Sequence, residues 1–320
     1  MTITIAAVVV TYNRKELLER CLNAILTQKH PIEQVLIVDN ASTDGTEEHL
    51  SLSGFLRDNR VRYVRLQENI GGAGGFNFGL RMVANLGVDY VWIMDDDTIP
   101  NADALAALVE SATCTNDRLG FVCSKVIWNT GDPHLMNIPV IKPIINGYAF
   151  NCIEKFNCLL IEACSFVSVI ISREAIKAVG LPIKDMFIWA DDIEYTTRIT
   201  RAGFLGAYCN HSIVLHATME NYKTDIFTDK TANLWRYRFG IRNNLYIIRR
   251  TKGYTYFMLK CFYNITALNI KIFVSRDADR LLWITTNTIA TLRSLIFYPI
   301  IEHIHKSPEN GRSSVELDCD

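Results

Sequence analysis

The amino-acid sequence predicts an α/β protein: a mostly parallel, doubly wound sheet flanked by helices, with a helical extension at its C-terminal end. Three observations carry that expectation. Apolar runs of strand length alternate with segments of helical period through the first hundred residues. The runs at 3–10, 34–38 and 90–94 are continuous, as strands buried on both faces are. Each run also exits into a polar loop, the last being Asp95-Asp96-Asp97, and open α/β sheets bind ligands outside the carboxyl ends of their strands.

Taken in order, residues 3–10 form the first strand and Thr11 to Arg14 its exit turn. Leu17, Leu18, Cys21, Leu22, Ile25 and Leu26 then recur at helical spacing over 15–28. The second strand, 34–38, exits through 39–46 into a helix with Glu47 and Glu48 in its first turn. A third strand at 60–66 leads to a glycine-rich stretch, 69–79, with helix continuing over 80–86. After the acidic strand come a helix at 101–112, a strand at 121–127 and an aperiodic loop at 129–145 with three prolines. Residues 159–171 are apolar and small; Ser172 starts a helix that Gly180-Leu181-Pro182 ends. Asp191 and Asp192 open another helix, with Ile193, Thr197 and Thr200 as one face and Glu194 paired to Arg198 four residues on. A strand at 205–208 precedes His211 and His216. Residues 253–301 read as two or three amphipathic helices, with Leu282, Ile289, Leu292 and Ile296 as a core or oligomer stripe. The polar segment 306–320 reads as a disordered tail.

Composition narrows the classes. The 320 residues are 49% hydrophobic and 21% charged, enough for a sizeable core. A net charge of -1 gives no overall basic footprint for nucleic acid, so no nucleic-acid partner is expected. Nine cysteines without Cys-x-x-Cys spacing point to a reducing, cytoplasmic setting and away from a disulfide framework or structural zinc. Residues 1–10 are apolar but lack a basic segment, and read as a strand rather than a leader. The apolar stretch 281–301 carries Arg293, Asn287 and four threonines, and is not expected to cross a bilayer.

Three adjacent carboxylates repel one another, and a divalent cation with a taste for oxygen, Mg²⁺ or Mn²⁺, relieves that repulsion. The plainer alternative is a solvated acidic turn before the next helix. Four glycines in five residues, Gly71, Gly72, Gly74 and Gly75, let a backbone approach a ligand, and N–H groups at a helix start favour phosphate. The plainer alternative there is a flexible loop. The spacing is not that of a dinucleotide fingerprint.

In combination these segments resemble the inverting glycosyltransferases of family 2, which have the GT-A fold, a Rossmann-like mostly parallel sheet. The matching residues are Val9-Val10-Thr11-Tyr12-Asn13-Arg14, Val38-Asp39 through Thr46, Asn69-Ile70-Gly71-Gly72, and Asp95 with Asp97 as the family's Asp-x-Asp. The likeness runs from residue 3 to about 220. It implies a nucleotide-sugar-binding and catalytic domain over 1–220 and a C-terminal helical region over 221–305. It also implies donor contacts from Thr11, Asn13, Arg14, Asp39, Asn69, Gly71, Gly72, Asp95, Asp96, Trp189 and Asp191, with Asp39 at the base. Asp95, Asp97 and His216, ahead of His211, would hold Mn²⁺ or Mg²⁺. The segment around Asp191 looks like the family's Glu-Asp-x-Asp-x-x-x-Arg helix, with Asp191 for the Glu and Glu194 for the last Asp; Asp192 would be the general base. The 129–145 loop would reach towards the acceptor.

A Tyr-x-x-Arg-Asn pattern like that near 240 occurs in galactofuranosyl- and rhamnosyltransferase relatives. The basic, aromatic 235–244 segment would contact phosphate or an acceptor headgroup. The resemblance therefore implies transfer of galactofuranose from UDP-galactofuranose, with dTDP-rhamnose as the alternative donor. The acceptor would be a glycan or lipid-linked saccharide in bacterial surface polysaccharide synthesis. Peripheral association with the inner face of the cell membrane, and a homo-oligomer through the C-terminal helices, are further expectations. A non-catalytic nucleotide-sugar-binding protein or a nucleotidyltransferase stays open, although the latter wants a glycine-rich turn after the first strand.

Overall fold

The computed structural model describes residues 3–114, 118–276 and 278–304; the expected tail at 306–320 lies outside the described residues. The chain begins β1 (Ile5–Thr11), α1 (Lys15–Leu26), β2 (Gln34–Asp39), α2 (Thr46–Leu52), β3 (Val61–Arg65), α3 (Gly71–Val83) and β4 (Tyr90–Asp95). Next come β5 (Thr98–Pro100), α4 (Ala104–Thr113), β6 (Leu119–Ile127), a hairpin of β7 (Ile144–Ile145) and β8 (Tyr148–Ala149), α5 (Ile153–Phe156), β9 (Leu159–Ile161) and β10 (Val169–Ser172). Then follow α6 (Arg173–Val179), α7 (Asp191–Arg201), β11 (Leu205–His216), α8 (Leu234–Lys252), α9 (Tyr254–Tyr263), α10 (Asn269–Ser275) and α11 (Arg280–Leu295).

One nine-stranded sheet organises these elements in the order β3-β2-β1-β4-β10-β6-β11-β5, with β9 also on β11. The four strands from β3 to β4 are parallel; β10 runs antiparallel between β4 and β6. β1 shows why its sequence is a continuous apolar run. Ile5, Ala7 and Val9 pack with α1 residues Leu18, Leu22 and Ile25, while Ala6, Val8 and Val10 pack with α3 residues Phe76, Leu80 and Val83. Alternate side chains thus fill two separate layers.

Register brings the polar exits together. Thr11 sits beside Asp39, and Val10 beside Asp95, so the loops after β1, β2 and β4 share one edge. The strand expected at 205–208 continues, through an irregularity between Cys209 and Ile213, to His216. There His216 pairs opposite Thr98 of β5, which sets its ring next to Asp97.

The glycine-rich stretch is not a loop. α3 starts at Gly71, and the other glycines lie inside the helix. A Cβ at Gly75 would meet Val10 Cγ1 at 2.6 Å and one at Gly79 would meet Val8 Cγ1 at 2.3 Å, so these two let α3 press onto β1. Gly71, at φ +77°, would place a Cβ 2.2 Å from the Phe187 carbonyl oxygen. Gly72 alone of this group faces open space.

Two predicted helix faces also change. On α7 Thr197 and Thr200 of the expected face are buried, but Ile193 is only half-buried and Tyr195, Thr196 and Ile199 lie deeper. On α11 the expected core stripe of Leu282, Ile289 and Leu292 points outward, as does Ile296 just beyond, and the buried side is Trp283, Thr286, Asn287, Ala290, Thr291 and Ser294. The C-terminal helices pack back on the sheet region through Tyr246, against Ala73, Ile183 and Met186. The Glu302 carboxylate then accepts hydrogen bonds from Asn77, Arg81 and Lys184.

Candidate active site

The cleft lies where β1, β4 and β11 end. Arg14, Gly72, Asp95, Asp97, Asn137, Trp189, Asp191, Asp192, His216 and Arg236 all line one cavity of about 280 Å³. The carboxylates after β4 and those opening α7, almost a hundred residues apart in the chain, therefore face a common space. A larger hollow of about 580 Å³ adjoins it under the segment from Ala217 to Arg236 and shares Arg14, Asp97 and Arg236 with it.

The three carboxylates of the triplet do different things. Asp96 is buried and turns back to β1, accepting from Thr11 Oγ1 at 2.8 Å, the Tyr12 N–H at 3.3 Å and Arg14 Nη1 at 3.2 Å. Asp96, expected with Thr11 to contact the donor, is bonded to the Thr11 hydroxyl and holds the β1 exit loop. Asp97 accepts from Arg14 Nη1 at 2.6 Å. Burial opposes its ionisation, but His216 and Arg14 outweigh burial and keep Asp97 below the usual carboxylate range. Asp95 opens on the cleft, and burial, then the charges of Asp97 and Asp96, push its carboxyl well up.

Other expected donor residues are engaged within the protein. Asp39 is fully buried; its oxygens accept from the Ser42 N–H at 2.8 Å and the Tyr63 hydroxyl at 2.5 Å. Asn13 Oδ1 accepts from the Thr43 N–H at 2.7 Å, tying the first two loops together. Asn69 Oδ1 accepts from the Gly71 N–H at 2.8 Å at the start of α3. Gly71 is set by its contact with Phe187 rather than by the cleft.

The residues expected to hold a metal divide. His211 is exposed and His216 buried. Asn137 Nδ2 donates to Ser165 Oγ at 2.8 Å, which turns Asn137 Oδ1 to His216 Nδ1 at 2.9 Å. His216 Nδ1 therefore carries a proton, and Nε2 faces Asp97 Oδ1 at 3.2 Å, where it donates when protonated and offers a lone pair when not. That oxygen is buried and has no hydrogen-bond partner. Two ligands about 2.1 Å from one octahedral cation, at right angles, are about 3 Å apart, so this pair fits Mn²⁺ or Mg²⁺, and the imidazole favours Mn²⁺. Among the described residues no three His, Cys, Asp or Glu side chains cluster to hold a metal. Asp95, Asp97 and His216 line the same cavity, with Asp97 and His216 the pair in direct contact, and phosphates commonly supply the remaining ligands of such a cation.

Asp191 and Asp192 begin α7. Burial, then the Asp192 charge, pushes the Asp191 carboxyl up to about 8. Burial pushes Asp192 up to about 6. Glu194 is spent on Arg198, 2.9 Å away, which also donates to the Val179 and Leu181 carbonyls. The approach to α7 is strained: Phe187, Trp189 and Ala190 have φ of 66°, 66° and 67°, each a costly conformation for these residues. Asn243 on α8, fully buried, holds them there. Its Nδ2 donates to the carbonyls of Met186, Ile188 and Trp189 at 2.9, 3.2 and 2.8 Å. Arg242 donates to the Asp185 carbonyl at 2.7 Å. This part of the Arg-Asn pattern clamps the loop, and Arg236 of the same basic segment lines the cleft.

Sequence reasoning missed His134, whose ring lies 4.4 Å from that of His216, and Asn137, which orients it. Both sit in the aperiodic 129–145 loop, where no spacing marks them.

The mixed sheet with helices on both faces and an acidic cleft at its strand ends has the GT-A fold. Residues 6–174 match the family model for glycosyl transferase family 2, and the chain belongs to that family. It is 27% identical over 222 residues to galactofuranosyltransferase GlfT1 of Mycolicibacterium smegmatis, covering 67% of this chain and 71% of that one. It is 27% identical over 181 residues to the poly-beta-1,6-N-acetyl-D-glucosamine synthase of Staphylococcus epidermidis, covering 55% and 41%. The fold resembles that of GalNAc-T7, solved with UDP, GalNAc and Mn²⁺, at TM-score 0.59 and 13% identity over 95% of this chain and 55% of that one. It also resembles mannosyltransferase PcManGT of Pyrobaculum calidifontis, solved with GDP-Man and Mn²⁺, at TM-score 0.53 and 19% identity over 91% and 75%.

Proposed function

We propose that this glycosyltransferase is inverting and metal-dependent, and moves galactofuranose from UDP-galactofuranose to a glycan or lipid-linked saccharide. The reaction would serve bacterial surface polysaccharide synthesis at the inner face of the cell membrane. The observation that carries the mechanism is the shared cleft: Asp97 with His216 on one side, Asp192 on the other. The likeness to galactofuranosyltransferases supports the choice of sugar.

In this reading Asp97 and His216 hold the metal, with Asp95 beside them, and Arg14 keeps Asp97 in place. Bound there, a divalent cation would neutralise the charge growing on the departing diphosphate. Gly72 leaves backbone room at the cleft floor, Arg236 offers a guanidinium to phosphate oxygens, and Trp189 with Asp191 borders the sugar. Asp192 takes the proton of the acceptor hydroxyl as it attacks the anomeric carbon. Attack from the side opposite the diphosphate inverts the configuration without a covalent intermediate. The residues 1–220 then form the catalytic part, and 221–305 a helical part that completes it through Asn243 and Arg236.

Calorimetry with UDP-galactofuranose, dTDP-rhamnose, UDP-N-acetylglucosamine and GDP-mannose, each with and without Mn²⁺, tests the donor. Binding of UDP-galactofuranose alone, strengthened by Mn²⁺, is expected. Preferential binding of dTDP-rhamnose would replace the sugar assignment, and metal-independent binding would remove the cation from the account.

A further inference from the structure

The C-terminal helices are inside out. The buried side of α11 carries Thr286, Asn287, Thr291 and Ser294 beside Trp283 and Ala290. Asn287 Nδ2 donates to the Asn264 carbonyl and to Asn269 Oδ1, both at 2.8 Å, and Asn269 Nδ2 donates to Thr288 Oγ1 at 2.9 Å. Its outward side carries Leu281, Leu282, Ile289 and Leu292. Helices bathed in water do the reverse. Apolar side chains outward and asparagine and threonine bonded between helices is the pattern of lipid-facing pairs.

The neighbouring helix repeats it. Residues Tyr254–Ser275 run as one continuous helix, long and apolar enough to span a membrane, yet only 22% of its most apolar stretch is buried. Phe257, Cys261 and Ile272 face the protein, while Leu259, Phe262 and Val274 are 64%, 69% and 75% exposed. Phe257 and Cys261 pack with Leu245 and Ile248 of α8, so one flank stays on the protein and the helix cannot be surrounded by lipid.

Charge selects what covers this face. On or beside this helix Lys252 and Lys271 are exposed and Lys260 half-buried, and residues 254–275 hold no Asp or Glu; Arg236 in the cleft and Arg242, Arg249 and Arg276 on backbone carbonyls are not part of this face. Lys252, Lys260 and Lys271 form no ion pair among the described residues. Lys252 lies over the Tyr256 ring at 4.7 Å and Lys260 over Tyr263 at 4.3 Å, stems on apolar surface with ammonium groups left for another partner. A second copy fits less well, because a two-fold contact would set these lysines against themselves and the helix from Tyr254 to Ser275 carries no carboxylate to answer them.

We propose that the outward faces of Tyr254–Ser275 and α11 dock the protein on an anionic lipid bilayer, lying in the headgroup layer without crossing it. This deepens the membrane-side reading of the acceptor given above, but vesicle binding is read without any transfer, so either can fail alone.

The test is sedimentation of the full chain with vesicles of phosphatidylcholine, with or without phosphatidylglycerol. Pelleting with the anionic vesicles, reduced by salt, is expected. Leu259→Glu with Phe262→Glu should weaken it at least about tenfold, with an unchanged unfolding temperature and undiminished transfer to a soluble acceptor. Leu292→Glu on α11 should weaken it independently, and Lys260→Gln with Lys271→Gln should abolish the preference for anionic lipid. No pelleting with either vesicle overturns the proposal, as does full binding by the glutamate variants. So does light scattering that shows a wild-type dimer, a monomeric variant and no vesicle binding.

Discussion

His216 Nε2 and Asp97 Oδ1 stand 3.2 Å apart, while on the other side of the ring His216 Nδ1 donates to Asn137 Oδ1. A proton or a cation must lie between them. Asp97→Ala and His216→Ala should each raise the Mn²⁺ concentration needed for half-maximal transfer by at least about tenfold, one lost ligand being worth about 1–3 kcal/mol here. Asn137→Ala, which frees the ring without removing a ligand, should do so less, in line with the loss seen when a ligand's supporting partner is removed. A Mn²⁺ titration of initial rates checks all three; equal curves for wild type and His216→Ala would take the metal away from this pair.

Asp192 governs the pH dependence. As a base it works only when ionised, so transfer should fall as pH drops through about 6. Rates of wild type from pH 5 to 9 check this, and a flat acid limb would speak against Asp192.

The same burial has a consequence for stability. The Asp191 and Asp192 carboxyls titrate at about 8 and about 6, above an unfolded aspartate, so the folded chain binds more protons than the unfolded one. Stability is therefore fully present below the ordinary aspartate range and is lost as pH rises through about 6 to about 8. Asp192→Asn should unfold at a higher temperature than wild type at pH 8 and show little difference at pH 4, measured by calorimetric scans.

The loop clamp separates positioning from chemistry. Asn243→Ala leaves the Ile188 and Trp189 carbonyls without their side-chain donor, a cost of about 1–3 kcal/mol. With Trp189 and Ala190 freed from their left-handed backbone, kcat should fall while the donor KM moves little. Steady-state kinetics on a variant shown to be folded checks this, and a change in KM alone would make Asn243 a donor residue.

Glycines that looked alike in sequence should differ in mutation. Gly79→Ala drives a methyl to 2.3 Å from Val8 Cγ1 and Gly75→Ala one to 2.6 Å from Val10 Cγ1, each costing about 1–3 kcal/mol by overpacking. Gly72→Ala meets nothing within 4 Å and should leave the unfolding temperature unchanged, any effect appearing in the donor KM. Urea denaturation of the three variants distinguishes them.

The sheet was legible because β1, β2 and β4 are apolar on both faces, and the cleft because each ends in acidic or polar residues whose register aligns them. What sequence could not give was direction. Asp95, Asp96 and Asp97 are neighbours in the chain, yet Asp96 alone turns inward to Thr11 and Arg14. His134 and Asn137 act through a loop with no period. The α11 stripe has the spacing of a core helix, and only packing shows that its threonines and asparagines face inward. Within the basic 235–244 segment, only packing shows that Arg242 and Asn243 hold the carbonyls of the strained loop before α7.

One experiment bears most directly on the shared cleft. Asp192→Asn should bind UDP-galactofuranose with Mn²⁺ as wild type does in calorimetry, yet transfer it at least about 10²-fold more slowly, the usual contribution of a general base. Transfer within a few-fold of wild type, with donor binding intact, would contradict the account.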